Sequence, residues 1–234
     1  MTLGIASLIV LIPLAMLMLE PPALGRANAA GVRVGSEDVQ LPLPVGVLVI
    51  WMSAAVIMCC TCMSVPLMHL IPLIQGCGYS APEAGGVLFT MLISAILGRI
   101  AFGKLADMIG AIPAYMIASF WQTSLVFVFT QIQSLEMFYY FAPLYGFGYA
   151  GVMTGVLTTT RELTPASKRA ASMGTILAFG WLGHGLGGYQ GGVFYDLTSA
   201  YYVSFANAVL AGTLNLIIVG ALYFTIEQRR VVQA

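Results

Sequence analysis

VGVLVIWMSAAVIMCCTCMSVPLM, residues Val45 to Met68, holds no Asp, Glu, Lys or Arg. It is longer than the roughly 20 helical residues needed to cross the hydrocarbon of a bilayer. The apolar run is continuous and lacks the in-and-out alternation of a barrel strand, so it reads as a transmembrane helix. Outward from it, similar runs extend over Leu3 to Leu19, Ala84 to Phe102, Ala111 to Thr130, Met137 to Thr160, Ala170 to Phe194 and Tyr201 to Ile226, which makes seven spans in all. With 59% hydrophobic and 8% charged residues, the chain has too little polar surface to cover a water-soluble globule. The expected fold class is an all-α membrane protein whose main partner is the lipid bilayer.

Charge sets the orientation. All nine Lys and Arg fall on one side when the spans are threaded alternately in and out: Arg26 and Arg33, Arg99 and Lys104, Arg161, Lys168 and Arg169, Arg229 and Arg230. Positive loops stay cytoplasmic, so the carboxyl end is expected inside, and the opposite loops carry only Glu83, Glu136 and Asp196. A multi-pass protein of a bacterial inner or plasma membrane follows. Zero formal net charge and a pI near 6.7 leave no basic patch for nucleic acid.

Four regions are expected: a partial span over 1–19, a Pro-, Gly- and Ala-rich cytoplasmic linker over 20–44, a six-span unit over 45–226 and a cytoplasmic tail over 227–234. The first span has no basic segment before it. Cleaving it as a signal peptide near Ala27, Asn28 and Ala29 would export most of the basic loops. The expectation is instead that Met1 opens the chain late within a larger membrane protein.

GRIAFGKLADMIG, Gly98 to Gly110, lies where the third span meets the cytoplasm. It resembles the loop signature of the major facilitator superfamily, matching it at Gly103, Asp107 and Gly110, while Ala111 and Ile112 stand where a basic pair is usual. RELTPASKR, Arg161 to Arg169, resembles the family's loop between helices ten and eleven, and DLTSAY, Asp196 to Tyr201, resembles its corner before helix twelve. The resemblance covers Val45 to Ile226 as family helices seven to twelve, with Leu3 to Leu19 as the end of helix six. It implies the carboxyl-terminal half of a secondary transporter working by alternating access, with substrate bound between two six-helix halves near mid-membrane. The missing amino-terminal half, from the same gene or a separate chain, or a second copy in a homodimer, is then an expected partner.

The same resemblance implies a cytoplasmic gate of Gly103, Lys104, Asp107, Gly110, Arg161, Glu162 and Arg169. Physically, the Asp107 carboxylate would sit at the positive amino end of the sixth span as a latch, against the bland reading of solvated loop charges.

Arg99 has two readings. A guanidinium within a span snorkels about 6 Å to the cytoplasmic surface, or it serves a buried role. GRIAFGKLAD resembles monocarboxylate transporters and oxalate/formate exchangers, where this arginine lies in the anion path, and a planar five-donor fork suits a carboxylate. Ala95 stands where monocarboxylate transporters place an aspartate, and the span Ala170 to Phe194 lacks the lysine of the oxalate exchangers. A singly charged organic anion is therefore the expected solute, moved by symport or antiport. No Asp or Glu lies in the middle of a span, so His184, His69 or a group in the missing half would have to carry any coupled proton.

His184, flanked by Gly183 and Gly185, is read as a binding group or as a neutral imidazole packed between helices. His69 lies between Pro66 and Pro72, which are expected to break their helix, and reads as a vestibule residue. Tyr149 and Asn207 join Arg99 and His184 as candidate substrate contacts, with Tyr145, Trp181, Tyr189 and Gln190 as further cavity-lining candidates beside a plain packing role.

No cofactor or metal is expected. Gly146 to Gly151 spells GxGxxG but lies in a span without a preceding strand, so close helix packing explains it, as it does Gly183, Gly187 and Gly191. Cys59, Cys60 and Cys62 crowd one apolar helix without histidines at zinc spacing and read as buried thiols. HExxH, GxSxG and paired intramembrane carboxylates are absent from the sequence, so no enzyme is expected. The alternatives to anion transport are an inert or regulatory membrane fragment and efflux of a neutral, drug-like solute.

Overall fold

A computed structural model describes residues 43–233 together with Pro13, with side chains as far as Arg229. The span expected over Leu3 to Leu19, the linker up to residue 42 with Arg26 and Arg33, and the side chain of Arg230 lie outside the described residues. Six helices form one compact unit that falls within residues 40–234: α1 (Val45–Gly76), α2 (Ala81–Ile109), α3 (Ala111–Val126, prolonged by a 3-10 turn over Phe127–Gln131), α4 (Leu135–Leu163), α5 (Ala166–Thr198) and α6 (Tyr202–Gln233). No strand occurs among the described residues.

Each of the six spans expected between Val45 and Ile226 falls on one helix, and most helices outrun their apolar stretch. Backbone hydrogen bonding continues past the hydrocarbon edge until a capping or breaking residue stops it. The expected cytoplasmic tail is therefore helical as far as Gln233. Four helices, α1, α2, α3 with its 3-10 turn, and α6, are apolar enough to span by length and composition alone. α4 and α5 are as long, but they interleave Gly, Thr and Tyr with apolar residues and so fall short on hydropathy.

Local chemistry explains the ends. α2 begins at a capping box: the Ser80 amide and hydroxyl donate to Glu83 Oε2 at 2.8 and 2.6 Å. These bonds hold the exposed Glu83 carboxyl below its ordinary range. At the other end Gly110 adopts φ 92°, where a Cβ would be strained, so the chain turns into α3 through one residue. α4 starts as Ser134 Oγ accepts from the Met137 amide at 3.4 Å. Pro66 and Pro72 do not break α1, which runs unbroken to Gly76. Packing on the neighbouring helices holds the helix through the lost amide donors.

The packing has an internal two-fold pattern. α1 packs most extensively on α5, and α4 packs most extensively on α2; α1 also lies on α6 as α4 lies on α3. Exchanging α1–α3 with α4–α6 maps each pairing onto another, as expected of two three-helix repeats. Both principal seams are made by glycines. A Cβ at Gly98 or Gly146 would overlap the backbone carbonyls of Phe147 and Met91 across the α2–α4 seam. At Gly187 it would overlap Ser64 Oγ and the Thr61 carbonyl across the α1–α5 seam. Backbones approach this closely only where small residues allow it.

Candidate functional site

α2, α4 and α5, helices of the two principal seams, carry three of the four candidate substrate contacts, Arg99, Tyr149 and His184. Arg99 projects from an exposed position on α2 immediately after Gly98, and its charge reaches the half-buried Tyr149 phenol of α4. Tyr149 stacks on Tyr145, with ring centroids 6.2 Å apart. Cys60 of α1 packs against Gly180 and Gly183 on α5. His184 follows Gly183 on this seam, and its ring lies 5.7 Å from that of Trp181.

Asn207 stands apart from these three contacts. It lies half-buried on α6, which packs on α1, α3 and α5 and makes no substantial contact with α2 or α4. Trp181 and Tyr189 are exposed on α5, while Gln190 is half-buried with its amide nitrogen unpartnered.

At the end of the bundle that carries the basic loops, Gly110 and Glu162 share a cleft of about 120 Å³ with Ile109, Leu163 and Tyr223. Gly103 lies on α2 beneath Thr154 of α4, and Lys104 and Asp107 are exposed. Arg169 turns back on its own loop, Nη2 donating to the Thr164 carbonyl at 3.3 Å. Asp107 is not brought to the amino end of α5, because α2 packs on α1, α3 and α4 and makes no substantial contact with α5. Among the described residues the expected network of Asp107, Arg161, Glu162 and Arg169 is not assembled in this conformation.

Three features escaped the sequence reading. Cys60 was expected to be an inert thiol, and its place against Gly180 and Gly183 follows only from the α1–α5 seam. His69 is more than a vestibule residue: its Nε2 lies 2.9 Å from the Gly188 carbonyl and its ring 5.4 Å from Tyr201, tying α1 to the carboxyl half of α5 and the start of α6. Asn215 was not singled out, although an amide in the apolar run of α6 was a signal that it had a partner. Among the described residues, no group of three His, Cys, Asp or Glu is placed to hold a metal ion.

The sequence profile of the Major Facilitator Superfamily matches residues 50–233, well over half of the chain. No curated protein matches it.

Proposed function

The chain belongs to the major facilitator superfamily, and from that premise we propose that it moves a small organic anion, a monocarboxylate, across the membrane by alternating access. It is an integral, multi-pass membrane protein of a transporter family. The observation that carries the substrate reading is Arg99. Its guanidinium stands on α2 within electrostatic reach of the Tyr149 hydroxyl on α4. A cation and a phenol donor on facing helices suit one carboxylate, the first as a bidentate fork and the second as a single hydrogen bond.

In this reading the substrate meets Arg99 and Tyr149, with His184 a further contact on α5 and Asn207 apart on α6. The bundle works opposite a second six-helix bundle, supplied by the same gene, by a separate chain or by another copy. The carboxyl end lies in the cytoplasm of a bacterial inner or plasma membrane, as the basic loops favour. The chain itself contributes no catalytic group.

The test is counterflow of radiolabelled lactate in proteoliposomes holding the full chain. Saturable exchange displaced by pyruvate and not by oxalate is expected, and Arg99→Lys should lower it about tenfold, because lysine offers a point charge where a planar fork is needed. Exchange unchanged in the lysine variant overturns the anion site. Exchange that rises more steeply than linearly with chains per liposome identifies the second bundle as another copy.

A further inference from the structure

Two grooves on the flank of the bundle are built alike. The first, of about 320 Å³, lies between α1 and α6 and is lined by Val47, Ile50, Trp51, Ala54 and Ile218. Its floor is Trp51, whose Nε1 donates to the Ile218 carbonyl at 2.9 Å. The second, of about 310 Å³, is lined by Ala101, Phe102, Leu105, Ile117, Trp121 and Phe147 of α2, α3 and α4. There Trp121 Nε1 donates to the Leu144 carbonyl at 2.9 Å. The exchange of repeats that carries α1 onto α4 and α6 onto α3 therefore carries one tryptophan-clipped seam onto the other. In both, the only donor of the indole is turned to a backbone carbonyl, and the ring shows the groove an apolar face.

The grooves differ in the charge at their mouths. Arg229 follows Ile218 by eleven residues, which is three helical turns and about 20°, so it lies on the groove side of α6 and about 16 Å nearer the basic end. One leaflet contributes about 15 Å of hydrocarbon, half of the bilayer core. Arg229 is exposed, just past the apolar run that ends at Ile226. Glu227 lies on the other side of α6, in the cleft with Ile109 and Gly110. Beside the second groove, exposed Lys104 is followed one turn on by exposed Asp107, so the cation there stands against a carboxylate.

We propose that the α1–α6 groove binds one anionic phospholipid of the leaflet on the side of the basic loops, its acyl chain lying over Trp51 and Ile218 and its phosphate meeting Arg229. The site does not depend on the solute transported. Acyl chains bathe every outer face of a membrane bundle, but a groove with a pinned indole floor holds one of them in a fixed place. The guanidinium then selects the headgroup, because its fork matches phosphate and because basic groups at the ends of spans favour anionic lipids. The two ends of the site are one leaflet apart, so a single lipid reaches both. The second groove has the same apolar build and a countered cation. It takes an acyl chain without regard to its headgroup.

The test uses the tryptophans as reporters. The complete chain is held in phosphatidylcholine nanodiscs with Trp51 as its only tryptophan, Trp121→Phe and Trp181→Phe removing the others. Its fluorescence is titrated with brominated phosphatidylglycerol or brominated phosphatidylcholine. Half-quenching is expected at about fivefold less of the former, and Arg229→Gln should bring the two together. A chain with Trp121 alone should show no preference; an equal preference there places the selection in the bilayer surface and overturns the site. Equal quenching of Trp51 by both lipids overturns it as well. So does a Trp51 that neither lipid quenches, since protein then fills the groove. Because Trp121→Phe removes a bond between helices, a second readout keeps all three tryptophans: phosphatidylglycerol retained through purification, measured by native mass spectrometry. Ala54→Phe, which fills the groove, and Arg229→Gln should each lower that retention about fivefold. Retention unchanged in either variant overturns the proposal.

Discussion

Tyr115 of α3 and Asn215 of α6 meet in the interior, the phenol donating to Asn215 Oδ1 at 2.8 Å while Asn215 Nδ2 donates to Ser119 Oγ at 2.9 Å. All three residues are buried. The bonds join the third helix of one repeat to the third helix of the other, so they clip the two repeats together. In an apolar interior such polar groups stabilise only while each has its partner.

Removing one member should therefore cost more than its own bond. Asn215→Leu leaves the Tyr115 hydroxyl and Ser119 unpaired and is expected to destabilise the bundle by about 1–3 kcal/mol. Tyr115→Phe leaves Asn215 its bond to Ser119 and should cost about 0.6 kcal/mol, the usual value between membrane helices. Thermal unfolding in detergent, followed by loss of a monodisperse gel-filtration peak, ranks the two. Equal losses would show that the clip does not act as a unit.

The close seams make a sharper steric prediction. Gly98→Ala places a methyl group on the Phe147 carbonyl, whereas Gly185→Ala meets nothing within 4 Å. The first should reduce the yield of folded protein severalfold and the second should leave it unchanged. The relevant measurement is the folded fraction extracted from membranes, and equal yields would mean that the α2–α4 seam is looser than its glycines imply.

Orientation can be read from one thiol. Cys59, Cys60 and Cys62 are buried, and Cys77 is exposed just beyond the end of α1. A membrane-impermeant maleimide added to intact cells should label the chain once, and Cys77→Ser should abolish the labelling. Labelling only after the membrane is opened would reverse the assigned sides.

Glu83 gives a pH dependence with a definite sign. Its carboxyl is depressed in the folded state by the Ser80 hydroxyl and amide. Its contribution is therefore present above the unfolded carboxylate value and is lost as pH falls through the lower, folded one. Acid should fray the start of α2, and Ser80→Ala should remove that part of the acid sensitivity. Amide exchange at the first turn of α2, compared at neutral and acid pH, measures it; identical acid sensitivity in the variant would refute the capping account.

The sequence by itself determined the six helices of the described unit, because an apolar run the length of a bilayer has one stable solution, a helix that satisfies its own backbone. The basic loops set an expectation of sidedness, and GRIAFGKLADMIG carried the resemblance to the family. The sequence did not reveal that Pro66 and Pro72 leave α1 unbroken, because tertiary packing decides whether a proline stops a helix in lipid. Nor did it place Asp107 away from α5 or Cys60 against Gly180 and Gly183. Those relations depend on which helix packs on which and through which face. Glycine spacing marks a close contact without naming its partner, and only the assembled bundle assigned Gly98 to α4 and Gly187 to α1.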